Sequence, residues 1–566
     1  MSLYDKSSLI QVPSLYKDGT LVSTIPEDRS GDFTFSRGSN LSATRVGEDG
    51  YIKKGYENLL FQSNSFTTSP WSVSSGVSIV GNQSGYDGSN DAWLLNKNLS
   101  QAFLYQGVTF SGVQTISIYA KAGSLNWVLV GSAIYGGYFD LFNGVEGSSI
   151  GSAISTKITP VGDGWYRCEV SGIYNITTSF RVYPADGDLD TSGTSGSIYI
   201  QDAQLNQGLA AYPYLETTTA PVQGGLLENT PRLDWSNGVP ALLLELQRTN
   251  LIRHSEYFLG ENNWFGGLGL TFGYDSSILN PENYYGCTTA IGNHLKRYSV
   301  INGVSVGTKL SYSIFAKSNS NANFTFGGIA GEESATFNIN AGTLISQGSS
   351  VDSYDIVDYS NGWRKYVVNT TFQDAIGNGQ VYVNISWNDA IEPAYLYGLQ
   401  LEQDATYPTS YIPTYGTSQT RLGDSVSALD ISSILGTNSY TIFLDVETEN
   451  IGSNSNAAGD IFYLSVGSQT LAIDTRVSVI QDDSSSTTRI KVDVGDDIKH
   501  YKGALQVTPT TATIFGNGIK GDSGTSRALS PTSFSFYYNN KLNYNKLLLF
   551  PTALSDDECI ALTTIS

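Results

Sequence analysis

The chain contains one methionine, three cysteines and three histidines in 566 residues. Cys168, Cys287 and Cys559 lie far apart, and an odd number of them does not make a disulfide framework. They are expected as small buried apolar side chains. His254, His294 and His500 are equally scattered, so a zinc site or a histidine-based triad would have to be assembled from unrelated segments. Positive charge is scarce too. With 31 Lys+Arg against 52 Asp+Glu, the net charge of −21 repels phosphate backbones and anionic bilayers, so neither nucleic-acid binding nor membrane insertion is expected. No run approaches the roughly 18–20 consecutive apolar residues of a membrane helix. The opening Met1-Ser2-Leu3-Tyr4-Asp5-Lys6 lacks the basic-then-apolar order of a secretory signal, which predicts synthesis and first folding in the cytosol.

Glycine (59), tyrosine (36) and abundant Ser, Thr and Asn make up for these absences, and only 15% of residues are charged. Gly supplies positive φ, and Asn and Ser bond their own backbone, so the composition describes short strands joined by tight turns. The length is too great for one core and predicts three or four domains of about 100–200 residues.

Internal repetition organises the chain. Glu57-Asn58-Leu59-Leu60, followed by Ser65-Phe66 and Trp71, returns as Thr249-Asn250-Leu251-Ile252, followed by Tyr257-Phe258 and Trp264. The alternating strand Ile116-Ser117-Ile118-Tyr119-Ala120-Lys121 answers Tyr312-Ser313-Ile314-Phe315-Ala316-Lys317. Gly164-Trp165-Tyr166-Arg167 answers Gly362-Trp363-Arg364-Lys365, and Ala203-Gln204-Leu205 with Tyr212-Pro213 answers Leu399-Gln400-Leu401 with Tyr407-Pro408. The offset drifts by only a few residues, as loop insertions would cause. Thr44-Arg45, Thr230-Pro231-Arg232 and Thr420-Arg421 recur where one module gives way to the next. The expected division is an N-terminal segment 1–45, sandwich copies 46–230 and 231–422, and a different domain 423–566. Strand follows strand with Gly, Asn and Asp between them and no sustained helical period, so the fold class is all-β. Tandem jelly-roll β-sandwiches are expected, with a closed barrel as the alternative. Near the end, Lys546-Leu547-Leu548-Leu549-Phe550 running into Ser555-Asp556-Asp557-Glu558 predicts a strand and then a short helix N-capped by Ser555.

These motifs in this order resemble bacteriophage virion fibre proteins of the tail-fibre and head-fibre type. The resemblance rests on Asp32-Phe33-Thr34-Phe35-Ser36-Arg37-Gly38-Ser39, on Glu245-Leu246-Gln247-Arg248-Thr249-Asn250-Leu251, and on Leu399-Gln400-Leu401-Glu402 leading to Tyr407-Pro408-Thr409-Ser410-Tyr411-Ile412-Pro413-Thr414. Each repeat looks like a carbohydrate-binding-module jelly roll. The tail Leu549-Phe550-Pro551-Thr552-Ala553-Leu554-Ser555-Asp556-Asp557-Glu558 is similar to the close of concanavalin-like and laminin-G-like domains. The resemblance implies a non-enzymatic fibre subunit on the virion surface, a homotrimer, attached to other virion proteins through its N-terminal segment and binding host-surface glycan. A purely structural spacer and a polysaccharide-depolymerising spike are its alternatives.

Carbohydrate modules stack an exposed aromatic on the apolar face of a sugar ring while polar groups reach the hydroxyls. Aromatics shared by the copies (Trp71, Trp264, Trp165, Trp363, Tyr119, Phe315) are expected in the core. The sugar-contact candidates are those not shared: Trp127, Tyr135 and Tyr138 in the first copy, Tyr284, Tyr285 and Trp387 in the second. Asp186, Asp188 and Asp190 have the alternating spacing of a calcium loop but lack its glycine and terminal acid, so a solvated acidic turn competes with calcium as the reading. Asp482-Asp483 and Asp496-Asp497 are weaker versions of the same signal, and no pair of the 52 acids is marked for glycoside hydrolysis. No other cofactor is indicated. Lys121 and Lys317 read as guards of a sheet edge.

Overall fold

Alternating side chains dominate the strands, and the computed structural model forms 45 strands and one α-helix from the residues it describes. These are 2–565 except 15, 39–40, 261–263, 266–268, 294, 330–331, 375–376, 378, 452–459, 467–468, 475–477, 484–485, 495–497, 526–531 and 537–540. At 110, 265, 295–297, 299, 301, 449–451, 460–466, 469–474, 478–483, 486–489, 498 and 525 the backbone alone is described. His294, Asp496 and Asp497 therefore lie outside the described residues, as do the side chains of Asp482 and Asp483.

The chain divides into two units. One comprises Met1–Lys53, Leu226–Arg248 and Thr420–Ser566, and the other Lys54–Gly225 and Thr249–Gln419. Both repeats thus fall in one unit, each an insertion into the other unit's sequence. The expected boundaries at 45, 230 and 422 are corrected accordingly, and residues 1–45 are not a separate segment. Their apolar residues Leu9, Leu21, Phe33 and Phe35 belong to the same core as Leu244, Leu444 and Leu549, because a sandwich assembled from three chain segments needs all three to close its apolar faces.

In that discontinuous unit, one sheet runs Leu233–Asp234, Ala241–Leu244, Leu542–Phe550, Tyr440–Ile451, Ile498–Val507, Thr511–Gly516 and Ile519–Thr525. Leu9–Gln11 also joins this sheet, antiparallel to Leu547–Leu549. The second sheet runs Leu429–Asp430, Ser533–Phe536, Asp460–Val466, Gln469–Asp474, Ser478–Asp483 and Ser486–Lys491. The helix Asp556–Thr563 starts as expected at Ser555, which forms a reciprocal capping box with Glu558.

The connectors converge in this unit. Arg37, Arg232 and Arg421 meet Glu245 and Asp424 with every one of these side chains fully buried. Arg232 donates to Glu245 at 2.7 Å and to Asp424, and Arg37 donates to Asp424 at 3.3 Å. Backbone carbonyls of Thr44, Leu227, Thr230, Leu246 and Leu422 take further guanidinium protons. Burial and the neighbouring Arg232 push Arg37 down to about 10. Two of the three recurring Thr-Arg connectors therefore supply arginines that clasp the places where the chain leaves and re-enters the unit.

In the other unit the two copies repeat each other at atomic detail. Asn58 donates to the carbonyls of Ala203 (3.1 Å) and Leu215 (2.8 Å) and accepts from the amides of Leu60 and Leu205. Asn250 does the same with Leu399 (3.1 Å), Ile412 (2.9 Å), Ile252 and Leu401. Ser63 and Tyr214 share a hydroxyl bond at 2.6 Å, and Ser255 and Tyr411 share one at 2.7 Å. Tyr411 thus matches Tyr214. Gln204 donates to the carbonyl of Tyr212 and Gln400 to that of Thr409, so Tyr212 stands where Thr409 does, and the matching of Tyr212 with Tyr407 was two residues out of register. Even a β-bulge recurs, between Ser117 and Tyr119 and between Ser313 and Phe315. At that bulge Asp202 and Gly398 take positive φ.

The copies differ in how their sheets join. In the first, Leu104–Ala122 pairs with Trp165–Ala185 over one unbroken ladder from Leu104↔Val182 to Lys121↔Trp165, so ten strands form a single bent sheet. In the second, the corresponding long strands are each broken in two, Leu295–Ile301 and Lys309–Lys317, and Arg364–Thr371 and Val381–Trp387, leaving two six-stranded sheets. Gly303, Gly307, Gly377 and Gly379, all at positive φ, sit in the two breaks. Lys121 and Lys317 are not edge guards. Lys121 pairs with Trp165 on one side and Tyr199 on the other. Lys317 pairs with Tyr395 and holds its ammonium 5.2 Å from the Trp363 ring.

Inner faces carry the main cores, including Cys168 in the first copy. All three cysteines are free and buried, as their spacing predicts. Trp165 and Trp363 are buried as expected, but Trp165 lies in a separate small cluster with Tyr86, Tyr119, Tyr199 and Tyr214. There Tyr86 stacks on Tyr119 at 3.9 Å and donates to Asp202 at 2.9 Å. Burial, helped by Asp91 and Asp87, drives the Asp202 carboxyl up to about 7. A carboxyl that holds its proton in the folded chain from pH 3.8 to about 7 stabilises most below that window and progressively less as pH rises through it. Asp202→Asn keeps the acceptor and removes the charge. It is expected to raise unfolding free energy at pH 8 by about 2 kcal/mol and to flatten the fall between pH 4 and 7, read from urea midpoints across pH.

Candidate functional site

Strand alternation in the first copy places Val128, Val130, Phe139 and Val182 inward and sends Trp127, Leu129, Tyr138, Arg181 and Tyr183 to the opposite side. Register brings them together: Leu129 pairs with Tyr183 on one side and with Tyr138 on the other. Phe103, next to the first residue of the adjoining strand, extends the row, its ring 4.7 Å from Tyr183 and 5.4 Å from Tyr105. At a strand spacing of about 4.8 Å the row from Phe103 to Tyr138 runs roughly 14 Å, the length of two to three sugar rings. Tyr138 and Leu129 form a buried floor, and Trp127, Tyr183, Phe103 and Tyr105 are half-buried, each with part of its surface open to solvent.

The two ends of this face differ in charge. At one, the Arg181 guanidinium lies 4.8 Å from the Phe103 centroid, with Nε donating to Ser179 Oγ (2.7 Å) and Nη1 to the Tyr183 hydroxyl (3.2 Å). At the other, Asp188 accepts from the amide and hydroxyl of Ser148 at 2.7 and 2.8 Å. A Cβ built on Gly147 would lie 2.6 Å from the Trp127 ring and 2.7 Å from Asp188. The indole can settle there only because position 147 is glycine.

Of the predicted contact residues, this face gathers Trp127 and Tyr138, together with Asp188. The others lie elsewhere, and for Tyr135 and Trp387 their place in the cores corrects the assignment. Tyr135 is 1% exposed, in the inner core, stacked on Tyr174. Trp387 is fully buried and pairs in register with Phe324, with its indole donating to the Glu392 carbonyl. Tyr284 packs edge-on against Tyr212 at 4.9 Å, and the exposed Tyr285 lies under the Lys157 ammonium at 3.9 Å, so both sit where the two jelly rolls meet. An aromatic present in one copy only does not have to be an exposed one. Divergence also occurs in core packing and between modules.

The carboxylates of Asp186, Asp188 and Asp190 do not converge on one point. Asp186 is held by Lys97 and the Gly193 amide, Asp188 by Ser148, and Asp190 by Ser192. Their carboxylates have separate partners, and among the described residues no three metal-ligating side chains converge.

Sequence reading missed Phe103, Tyr105, Arg181 and Tyr183. The signal was present as Phe103-Leu104-Tyr105 and Arg181-Val182-Tyr183, each an aliphatic between two side chains that must share a face. The second copy shows how specific the face is. At the places of Leu129, Tyr138, Tyr183 and Arg181 it has Thr325, Thr336, Ser386 and Asn384. Thr325 and Thr336 share a hydroxyl bond at 2.8 Å, and Asn384 is buried.

The fold and this face define a tandem jelly-roll β-sandwich protein with an aromatic platform on its first repeat. No protein-family model matches the chain, and no curated protein matches it. Among solved structures it is similar to the CBM22-1–CBM22-2 tandem domain of Paenibacillus barcinonensis Xyn10C, at 13% identity and TM-score 0.20, over 65% of this chain and 99% of that one. It is also similar to the LG1–3 region of the laminin alpha2 chain, at 11% identity and TM-score 0.14, over 80% and 96%. A third similarity is to Trypanosoma rangeli sialidase, at 8% identity and TM-score 0.18, over 98% and 92%. At such scores none of these likenesses bears on the site, whose definition rests on the sheets and side chains above.

Proposed function

We propose that the chain is a non-enzymatic carbohydrate-binding fibre protein that lays a saccharide across the Phe103–Tyr183–Trp127 face of its first jelly roll. One observation carries the reading: a row of half-open aromatics on a sheet face, where the sister copy, built on the same backbone register, has Asn323, Thr325, Thr336 and Ser386 at the places of Trp127, Leu129, Tyr138 and Tyr183. Nothing in the jelly-roll architecture requires aromatics there, since the second copy folds without them. Partly exposed rings are what sugar stacking needs. The motif order resembling phage fibres supplies the setting: a homotrimeric subunit on the virion surface, joined to other virion proteins, adsorbing to host glycan. Three weak sites on one fibre would act together through effective concentrations of millimolar order.

On a glycan array, the wild-type chain is expected to bind a restricted set of saccharides. Trp127→Ala and Tyr183→Ala should each weaken that binding about tenfold or more, while circular dichroism stays unchanged. A well-folded wild type that binds no saccharide would leave the spacer reading in its place.

A further inference from the structure

Resting on the glycan reading, we infer that the saccharide bound by this face is acidic, and that Arg181 takes its carboxylate. In a chain with 31 basic against 52 acidic residues, several cations at buried or half-buried positions are paired: Lys97 with Asp186, Arg167 with Glu169, Lys54 with Glu256 and Glu282. Arg181 has no such pair among the described residues and stands on the aromatic face. Among the described residues no carboxylate lies within ion-pair distance of it, and its protein hydrogen bonds go only to neutral hydroxyls, Ser179 Oγ and the Tyr183 OH. Those two bonds and the Phe103 ring beneath fix the guanidinium plane, while Nη2 has no protein acceptor among the described residues.

A guanidinium held against an aromatic ring by two hydrogen bonds and still offering Nη2 is arranged for recognition of a carboxylate. Gly131 pairs with Arg181 and with Gly136, so no side chain from either position stands beside the guanidinium. Charge also gives the ligand a direction. Asp188 and Asp190 stand near Tyr138 at the far end, where burial first and then these two carboxylates hold its phenol above its ordinary pKa. An anionic sugar is repelled from that end and drawn to Arg181, while neutral sugars lie across Tyr183 and Trp127. The second copy has buried Asn384 in place of Arg181, donating to the Gly328 carbonyl, and so offers no such cation.

The test is calorimetric titration of the full chain with oligogalacturonides and sialyl-lactose, each against its carboxyl-reduced counterpart. The acidic form of at least one is expected to bind about tenfold tighter than its reduced form and to lose that margin in 0.5 M salt. Arg181→Gln should abolish the margin and Arg181→Lys keep only part of it, because lysine lacks the bidentate fork. If reduced and acidic forms bind alike while Tyr183→Ala abolishes both, the carboxylate assignment is wrong and the aromatic platform stands. If no saccharide of either kind binds the folded chain, both readings fall.

Discussion

Asp424→Ala is expected to lower the unfolding free energy by about 3–5 kcal/mol, and this is the largest single-residue effect we predict. Asp424 accepts from Arg37, Arg232 and the Glu245 amide, and Arg421 lies 3.8 Å away. Three fully buried guanidiniums are balanced by two carboxylates, so removing one carboxylate leaves three cations facing Glu245 alone. Water does not reach them to offset the loss. The net worth of the intact network is a different matter, since desolvating five ions consumes most of what their attraction returns. Thermal unfolding followed by circular dichroism checks the expectation, and an Asp424→Ala chain that melts within 2 °C of wild type would refute it. The clasp ties together the three chain segments of the discontinuous sandwich, through Arg37, through Arg232 and Glu245, and through Arg421 and Asp424.

Lys54→Met should have a comparable cost with a distinct pH signature. Lys54 is buried between Glu256 (2.7 Å) and Glu282 (2.9 Å), and tyrosine hydroxyls complete the cluster: Tyr415 on Glu256 at 2.9 Å, Tyr397 and Tyr212 on Glu282 at 2.7 and 2.9 Å. Burial opposes the charge on Lys54, but the two carboxylates outweigh it and hold its pKa above the usual lysine value. Burial raises Glu282, with Lys54 offsetting part of the rise. Without the ammonium, both carboxylates lose their buried counter-charge, and Glu282, already raised by burial, loses the group that offset part of that rise. An acid raised in the folded state stabilises when protonated and loses that contribution as pH rises, so the variant's deficit should be greatest at pH 8, about 3–5 kcal/mol, and shrink toward pH 5. Adding Glu256→Gln and Glu282→Gln to Lys54→Met should recover much of the loss at pH 8, because neutral amides can be buried beside methionine without an unpaired charge. Urea unfolding at both pH values separates these outcomes, and a deficit independent of pH would show that lost packing, not stranded charge, is responsible.

The same two clusters show what could be read from the sequence. The repeat was legible because packing constrains the landmarks directly. An asparagine that must bridge four backbone groups cannot be exchanged, so Asn58 and Asn250 recur at matching places in the two copies. Ser555 and Glu558 were legible for a similar local reason, as a capping box spans only four residues. Lys54 gave no such signal, because its partner Glu256 lies 202 residues away. Tyr212 faces Tyr407 instead of Thr409 in the sequence alignment because a two-residue shift sets Tyr-Pro against Tyr-Pro, and only the hydrogen bonds of Ser63 and Gln204 settle the register.

The candidate face was half legible. Trp127 and Tyr138 were chosen as unshared aromatics, but so were Tyr135 and Trp387, which point into the cores. Alternation states that residues two apart share a side of the sheet and does not say which side faces the core. Cross-strand neighbours decide that, and they come from segments such as 103–105 and 181–183 that local sequence does not connect.

By itself, then, the sequence determined the strand character, the duplication and the capped final helix, because each depends on contacts within a few residues or on patterns that packing forces to recur. Only the tertiary structure decided that three distant segments share one sandwich, that Arg37, Arg232 and Arg421 meet in its interior, and that one jelly roll has an aromatic face. Pairing between remote strands depends on register, and a period of two residues leaves register undetermined.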